Sequence, residues 1–215
     1  MLQQAQTYLT RHYDRIIEYT VQHFRIVLIA FAISLLVAIP IALLITKVKA
    51  AQIPVIGVFN AIFAIPSLVL YTLMIPITGL GIASAIIALV LYSQFSLVKN
   101  IAEGFRSVDP AVIEAARGIG LSKPQIFFQV EFPLALPLIL SGMRLAITSI
   151  TTMAILATSI GAGGLGVLLF DGLRANNWGK ILIGTVLTSA FVLIMNLLFQ
   201  FLEKKALQKA TGNFG

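Results

Sequence analysis

Long apolar runs separated by short polar stretches organise this chain. The runs cover about residues 26–46, 54–76, 79–98, 134–159 and 181–202. Each is long enough to cross a hydrocarbon core of about 30 Å as a helix, so the pattern predicts five membrane spans. Pro66 and Pro76 lie in or at the end of the second span and predict a kink there. At about 1.5 Å per residue the fourth run outreaches the core, which predicts a tilt or a break. Residues 1–25 are polar to amphipathic: Leu9, Ile16, Ile17 and Phe24 line one side, with Arg11, Asp14, Arg15 and Glu18 among them. They predict a helix lying at the membrane interface, with His12 and His23 as polar residues of that interface. The domain reading is therefore an N-terminal interfacial segment at 1–25, a transmembrane domain at 26–202 and a basic tail at 203–215. The fold class it implies is all-α, a polytopic membrane helix bundle.

Composition sharpens this picture. The chain is 59% hydrophobic and 11% charged, with mean hydropathy +0.98; soluble domains carry about 25% charged residues. A water-soluble fold is excluded on that balance. The net charge of +7 belongs beside apolar spans, where basic residues set topology or meet anionic lipid, so membrane lipids rather than nucleic acid are the expected contact. There is no cysteine, hence no disulfide and no thiolate metal site. No signal peptide is expected, because the first apolar run begins near Ile26, and no fused soluble domain is evident.

Residues 107–137 are the one long polar-mixed segment of the chain, and most of them fall in the loop at 99–133 between two spans. Asp109-Pro110 is a helix start, since Asp caps free N–H groups and Pro fits the first turn. Val112 to Arg117 continue the helix, and Gly118 and Gly120 stop it. Ser122 and Gln125 have the spacing of a capping box and open a second helix. Pro133 and Pro137 are expected to close it and to open the next element. Glu114 and Arg117, three apart, share a helix face and can pair with each other or with a partner.

Glu114-Ala115-Ala116, three residues, Gly120, nine residues, then Val130-x-Phe132-Pro133 resembles the EAA loop of bacterial ABC importer permeases. In that family's pattern Ile and Leu stand where this chain has Val130 and Phe132. The resemblance implies that the loop is cytoplasmic and docks into a groove of a separate ATPase subunit, with Glu114, Ala115, Ala116, Arg117 and Gly120 as the coupling residues. Ala64-Ile65-Pro66-Ser67-Leu68, Met74-Ile75-Pro76 and the stretch from Val108 to Glu114 are similar to permeases for glycine betaine, carnitine and choline, within the methionine-importer-like, binding-protein-dependent superfamily. The segment from Ile160 to Gly166 resembles one that follows the penultimate span in betaine and methionine permeases. That likeness implies that Gly161, Gly163, Gly164 and Gly166 belong to an external gate region.

Other motifs fail on context. Residues 161–166 fit G-x-G-x-x-G, but a membrane span precedes them and Lys180 stands where a dinucleotide site needs an acid. Gly179-Lys180 resembles the end of a phosphate loop, yet Arg174 replaces its first Gly and Ile181 its Ser or Thr. No nucleotide, metal or other cofactor site is therefore expected. All eight acids fall outside the predicted runs, which argues against a proton-coupled carrier and against an intramembrane hydrolase. Arg144 is the one charge well inside a span and is expected to snorkel toward lipid or loop. Asn60, Gln94, Asn196 and the Thr148–Thr152 cluster read as polar glue between helices. Phe63, Tyr71, Tyr92 and Phe95 offer aromatic faces to a quaternary ammonium, or serve as packing.

The expected function is a non-catalytic permease subunit of an ABC importer for a quaternary ammonium osmoprotectant. The resemblance implies a cytoplasmic ABC ATPase dimer, a second permease chain, identical or related, and an extracellular substrate-binding protein. A methionine or other amino-acid permease is the alternative within the class; a stand-alone channel or secondary transporter is the alternative outside it. Lys47, Lys49, the 99–133 loop, Lys204, Lys205 and Lys209 fall on one side, which places the N-terminus outside and the C-terminus in the cytoplasm of a bacterial cell membrane.

Overall fold

The computed structural model describes residues 2–210, and every regular element among them is helical. Ten α-helices follow in order: α1 Leu2–Arg11, α2 Tyr13–Lys47, α3 Lys49–Ala64, α4 Ser67–Thr78, α5 Ile82–Arg106, α6 Pro110–Gly118, α7 Lys123–Ile126, α8 Phe132–Leu156, α9 Gly166–Arg174 and α10 Trp178–Ala210. A π-helical turn, Phe127–Glu131, joins α7 to α8, and a 3₁₀ turn, Ala157–Ile160, ends α8.

Four helical stretches are long and apolar enough to span a membrane, and the pair α3–α4 makes a fifth if it counts as one span. Packing decides the matter. Ser34 in the middle of α2 accepts a hydrogen bond from Ser93 in the middle of α5 at 2.7 Å. Near their starts, Gln22, Ile26 and Ile82 line one cleft. The two helices thus run parallel, and the chain between them must return from the end of α2 to the start of α5. Only α3 and α4 lie between, so together they cross the bundle. The predicted kink is a bend of 100° at Ile65–Pro66: Pro66 has no N–H and fixes its own φ at −55°, and Ile65 before it is extended. The bundle therefore has five crossings, and the start of α2 and the end of α10 lie at opposite ends.

α8 runs back along α5 at close range. A Cβ on Gly104 would stand 2.9 Å from the Ala135 carbonyl oxygen, and one on Gly142 would stand 2.5 Å from the Asn100 Cβ. Small residues let these helices approach as helices in lipid do. Ala85, Ala88, Leu89, Leu97, Val98, Ala146, Ile147, Ile150 and Ala154 fill the seam. At its centre Gln94 donates to the Ser34 carbonyl at 3.3 Å and to the Val90 carbonyl at 3.0 Å, the interhelical role expected of it.

Three expectations change. The first membrane helix begins at Tyr13, not near 26: Ile16 and His23 face inward, so α2 runs through the boundary at residue 25, and α1 before it packs Ala5 against α10. Pro133 opens the next element as expected, but Pro137 lies inside that helix and closes nothing. Pro133 lies in the first turn of α8, where its missing N–H removes the bond that Gln129 would accept, and the π turn absorbs the gap through the Phe132 N–H to Phe127 carbonyl bond. Arg144 does not snorkel unpaired. It meets Glu203 of α10 at 3.3 Å, both side chains about a quarter exposed. The first part of the 203–215 tail is thus helical and packed, while residues 211–215 lie outside the described residues.

Candidate functional site: a helical hairpin and a glycine-rich segment

The hairpin connects α5 to α8, the two most tightly packed spans. The Asp109 carboxylate accepts from the Ala111 N–H at 2.8 Å, and Pro110 occupies the first turn of α6. At the other end the Leu121 N–H donates to the Ala116 carbonyl at 3.1 Å and the Gly120 N–H to the Arg117 carbonyl at 2.9 Å. This pair of bonds is a Schellman motif with Gly120 at its left-handed position, φ +87°. The reversal leads straight into a capping box, in which the Ser122 N–H donates to Gln125 Oε1 at 2.8 Å. Gly118, also expected to stop the helix, is its last helical residue and does not take the left-handed form.

Of the coupling residues predicted from the motif, Ala116 turns inward, 6% exposed, and seats α6 on the bundle. Glu114, Ala115, Arg117 and Gly120 all face outward. Glu114 and Arg117 form no ion pair with each other among the described residues. Ile119, 80% exposed, and Val112 add apolar surface to the same hairpin. Phe105 at the end of α5 stacks on Phe127 at 5.5 Å and 16°, with Phe128 and Phe132 against Phe127. The hairpin is thus anchored by aromatic rings to two spans while its charged and apolar crest stays free.

The glycine segment occupies the opposite end of α8. Gly161, φ +82°, closes the 3₁₀ turn with its own Schellman pair: Ala162 N–H to Ala157 carbonyl at 3.2 Å and Gly161 N–H to Thr158 carbonyl at 3.0 Å. The Gly81 N–H donates to the Ile160 carbonyl at 2.8 Å and pins the start of α5 there. Gly163 and Gly164 rest on α2. The Gly164 N–H donates to Gln22 Oε1 at 3.2 Å, and a Cβ on Gly164 would stand 3.1 Å from His23 Nδ1. Gly166 starts α9, where a Cβ would run into the Ile155 carbonyl oxygen and the Thr158 hydroxyl. Gln22, Arg25, Ile26, Ile29, Ile82 and residues 161–163 enclose a cleft of about 460 Å³.

Gln22 and His23 are the residues that sequence reasoning missed here. His23 is buried, with neither ring nitrogen hydrogen-bonded among the described residues. No local signal marks them, because their partners lie about 140 residues away, as the 142-residue separation of the Gln22–Gly164 bond illustrates. Gly179 has a packing role: a Cβ there would stand 2.5 Å from the Gln4 backbone, so α1 crosses α10 at that point. No cluster of three metal-ligating side chains occurs among the described residues.

Comparison with known proteins agrees with the motif. The family described as "Binding-protein-dependent transport system inner membrane component" matches residues 34–208. The choline transport system permease protein OpuBB of Bacillus subtilis (strain 168) is 34% identical over 186 residues, 86% of this chain and 86% of that one. The glycine betaine/carnitine/choline transport system permease protein OpuCB of the same organism is 32% identical over 208 residues, 97% of this chain and 96% of that one. Among solved structures, a chain of the inward-facing MetNI methionine ABC transporter superposes with TM-score 0.78 at 19% identity, covering 89% of this chain and 95% of that one. At that identity the likeness is one of fold.

Proposed function

This chain belongs to the family of binding-protein-dependent transport system inner membrane components, and from that membership we propose a substrate, a coupling site and an orientation for it. It is a multi-pass permease subunit of an ABC importer and not a catalyst; the ATPase and the substrate-binding protein are separate partners. The substrate class is a quaternary ammonium osmoprotectant. The carrying observation is identity of 32–34% over most of both chains to permeases named for choline and for glycine betaine, carnitine and choline.

The hairpin centred on α6 is the coupling site. Its crest of Glu114, Ala115, Arg117 and Ile119 is exposed and finds no ionic partner among the described residues, whereas its base is locked to α5 and α8. A cytoplasmic ATPase that grips the crest moves both spans together. The glycine segment, at the far end of those same spans, serves as the external gate region. Two permease chains enclose the path. The apolar faces of α3 and α10, uncovered within one chain, support that pairing. Orientation follows the basic residues Lys47, Lys49, Lys204, Lys205 and Lys209, which gather with the hairpin at one end; that end is cytoplasmic and the N-terminus is outside.

The direct test is uptake into vesicles that hold the permease, its ATPase and its binding protein. Labelled glycine betaine, carnitine or choline is expected to accumulate with ATP. Accumulation of methionine alone would reject the substrate class and keep the transport class.

A further inference from the structure

Of the four aromatic residues that the sequence offers to a quaternary ammonium, three meet. Phe63 of α3 lies edge-on to Tyr92 of α5, 5.7 Å between centroids at 70°, and tilted to Phe95, 5.3 Å at 31°. Tyr71 does not join them: it is buried, and its hydroxyl donates to the Met153 carbonyl at 2.9 Å. Phe63 stands in the last turn of α3, just before the bend at Ile65–Pro66, and is 40% exposed. Pro66 supplies no N–H to that last turn, and of its carbonyls Ile62 accepts from Ile65 at 3.1 Å. The negative end of the α3 dipole thus falls where the rings collect. α3 rests Ala51, Val55, Ile56, Phe59 and Ile62 against the core and Tyr92 lies buried behind it, so it is the Phe63 ring that opens this face to a ligand.

One turn further along α5, Lys99 holds its ammonium 5.8 Å from the Phe95 ring centroid and 4.0 Å from Glu103 Oε1. The Phe95 ring therefore already accepts a cation, and a fixed positive charge stands beside the ring cluster. A quaternary ammonium has no N–H to donate; aromatic faces and aligned carbonyl dipoles are what attract it. A carboxylate on the same ligand would be drawn to Lys99 in place of Glu103.

We propose that Phe63, Tyr92 and Phe95, with Lys99 beside them, form a station on the transport path for a zwitterion that joins a quaternary ammonium to a carboxylate. This rests on the osmoprotectant reading and sharpens it. The permease itself, and not the binding protein alone, selects a betaine-type zwitterion over a choline-type cation, because a cation without a carboxylate meets Lys99 as a like charge.

The test uses the complete transporter in proteoliposomes, with labelled glycine betaine and labelled choline supplied on saturating binding protein. Phe95→Leu is expected to lower glycine betaine uptake about tenfold, the loss of one desolvated cation–π contact, while Phe95→Tyr restores it. Lys99→Gln is expected to lower glycine betaine uptake and leave choline uptake equal or higher, so that their ratio falls about tenfold. ATP hydrolysis stimulated by the binding protein should persist in each variant, which separates loss of the station from loss of assembly. If the wild type takes up neither ligand, or choline only, the zwitterion reading falls and this station with it. If the wild type transports glycine betaine, and Phe95→Leu and Lys99→Gln leave rate and ratio within twofold, the station is wrong while the substrate reading stands.

Discussion

The hairpin before α8 and the glycine segment after it are built on the same turn and put to opposite uses. Gly120 and Gly161 each sit at the left-handed position of a Schellman motif. Around Gly120 the chain is exposed, and the charges at Glu114 and Arg117 have no ionic partner among the described residues. After Gly161 the chain is seated: Ala162 is buried, Gly164 is hydrogen-bonded to Gln22, His23 presses against it, and Gly166 is wedged beneath Ile155 and Thr158. A glycine turn that is packed from within holds the bundle together. A glycine turn whose crest is left bare is built to be held by something else.

That contrast is breakable by substitution. The largest stability effect is expected at Gly166→Ala, where the new Cβ meets backbone and must displace it; a loss of about 1–3 kcal/mol follows, read as a lowered Tm of the purified permease. A normal Tm would mean that the glycine segment is loosely seated. Gly164→Ala is next, with about 1–2 kcal/mol from its positive φ and a tight contact with His23. The added Cβ would also stand 3.3 Å from the His23 Cα and Cβ, which His23→Ala keeps, and losing the buried ring leaves a cavity, so the double variant should not recover the lost Tm. Gly120→Ala carries the same backbone strain of about 1–2 kcal/mol, but nothing lies within 4 Å of its added Cβ, so its Tm loss should not exceed that of Gly164→Ala. The smallest effect is expected at Arg144→Met. Its pair with Glu203 is about a quarter exposed, and the loss should be about 1 kcal/mol, with the Glu203→Gln change adding little on top of it. Additive losses would show that the two charges do not interact.

The same contrast explains what was legible in the sequence. The hairpin is written in local chemistry. Asp109 caps two residues ahead, Gly120 reverses the helix within its own turn, and Ser122 finds Gln125 three residues on; each signal is complete within a few positions. The five crossings were legible for a similar reason, since each is one apolar run. The seat of the glycine segment was not, because Gln22 and His23 belong to a polar stretch whose inward face appears only when α2 extends back to Tyr13. The Arg144–Glu203 pair is a long-range event of the same kind. Proline was legible where its effect is local. Pro66, with an extended Ile65 before it, makes the expected kink a full bend, and Pro133 opens α8 as expected, with a π turn taking up its missing bond, whereas Pro137 lies inside α8 and closes nothing. Proline removes one donor; whether the helix then bends depends on the neighbours that satisfy the freed carbonyl.

The claim that matters most is that the bare hairpin, not the seated glycine segment, passes force from the ATPase to the spans. The measurement is uptake and ATPase co-purification for the permease carrying Gly120→Val together with Glu114→Lys, in vesicles that also contain the partner ATPase and the binding protein. Neither change lies in a span. Bulk at the left-handed position and reversed charge on the crest should spare membrane insertion, loosen the ATPase and abolish uptake, whereas Glu114→Gln alone should retain most of it. Full uptake by the double variant, with the ATPase still bound, would contradict the account and leave the hairpin as a mere connector.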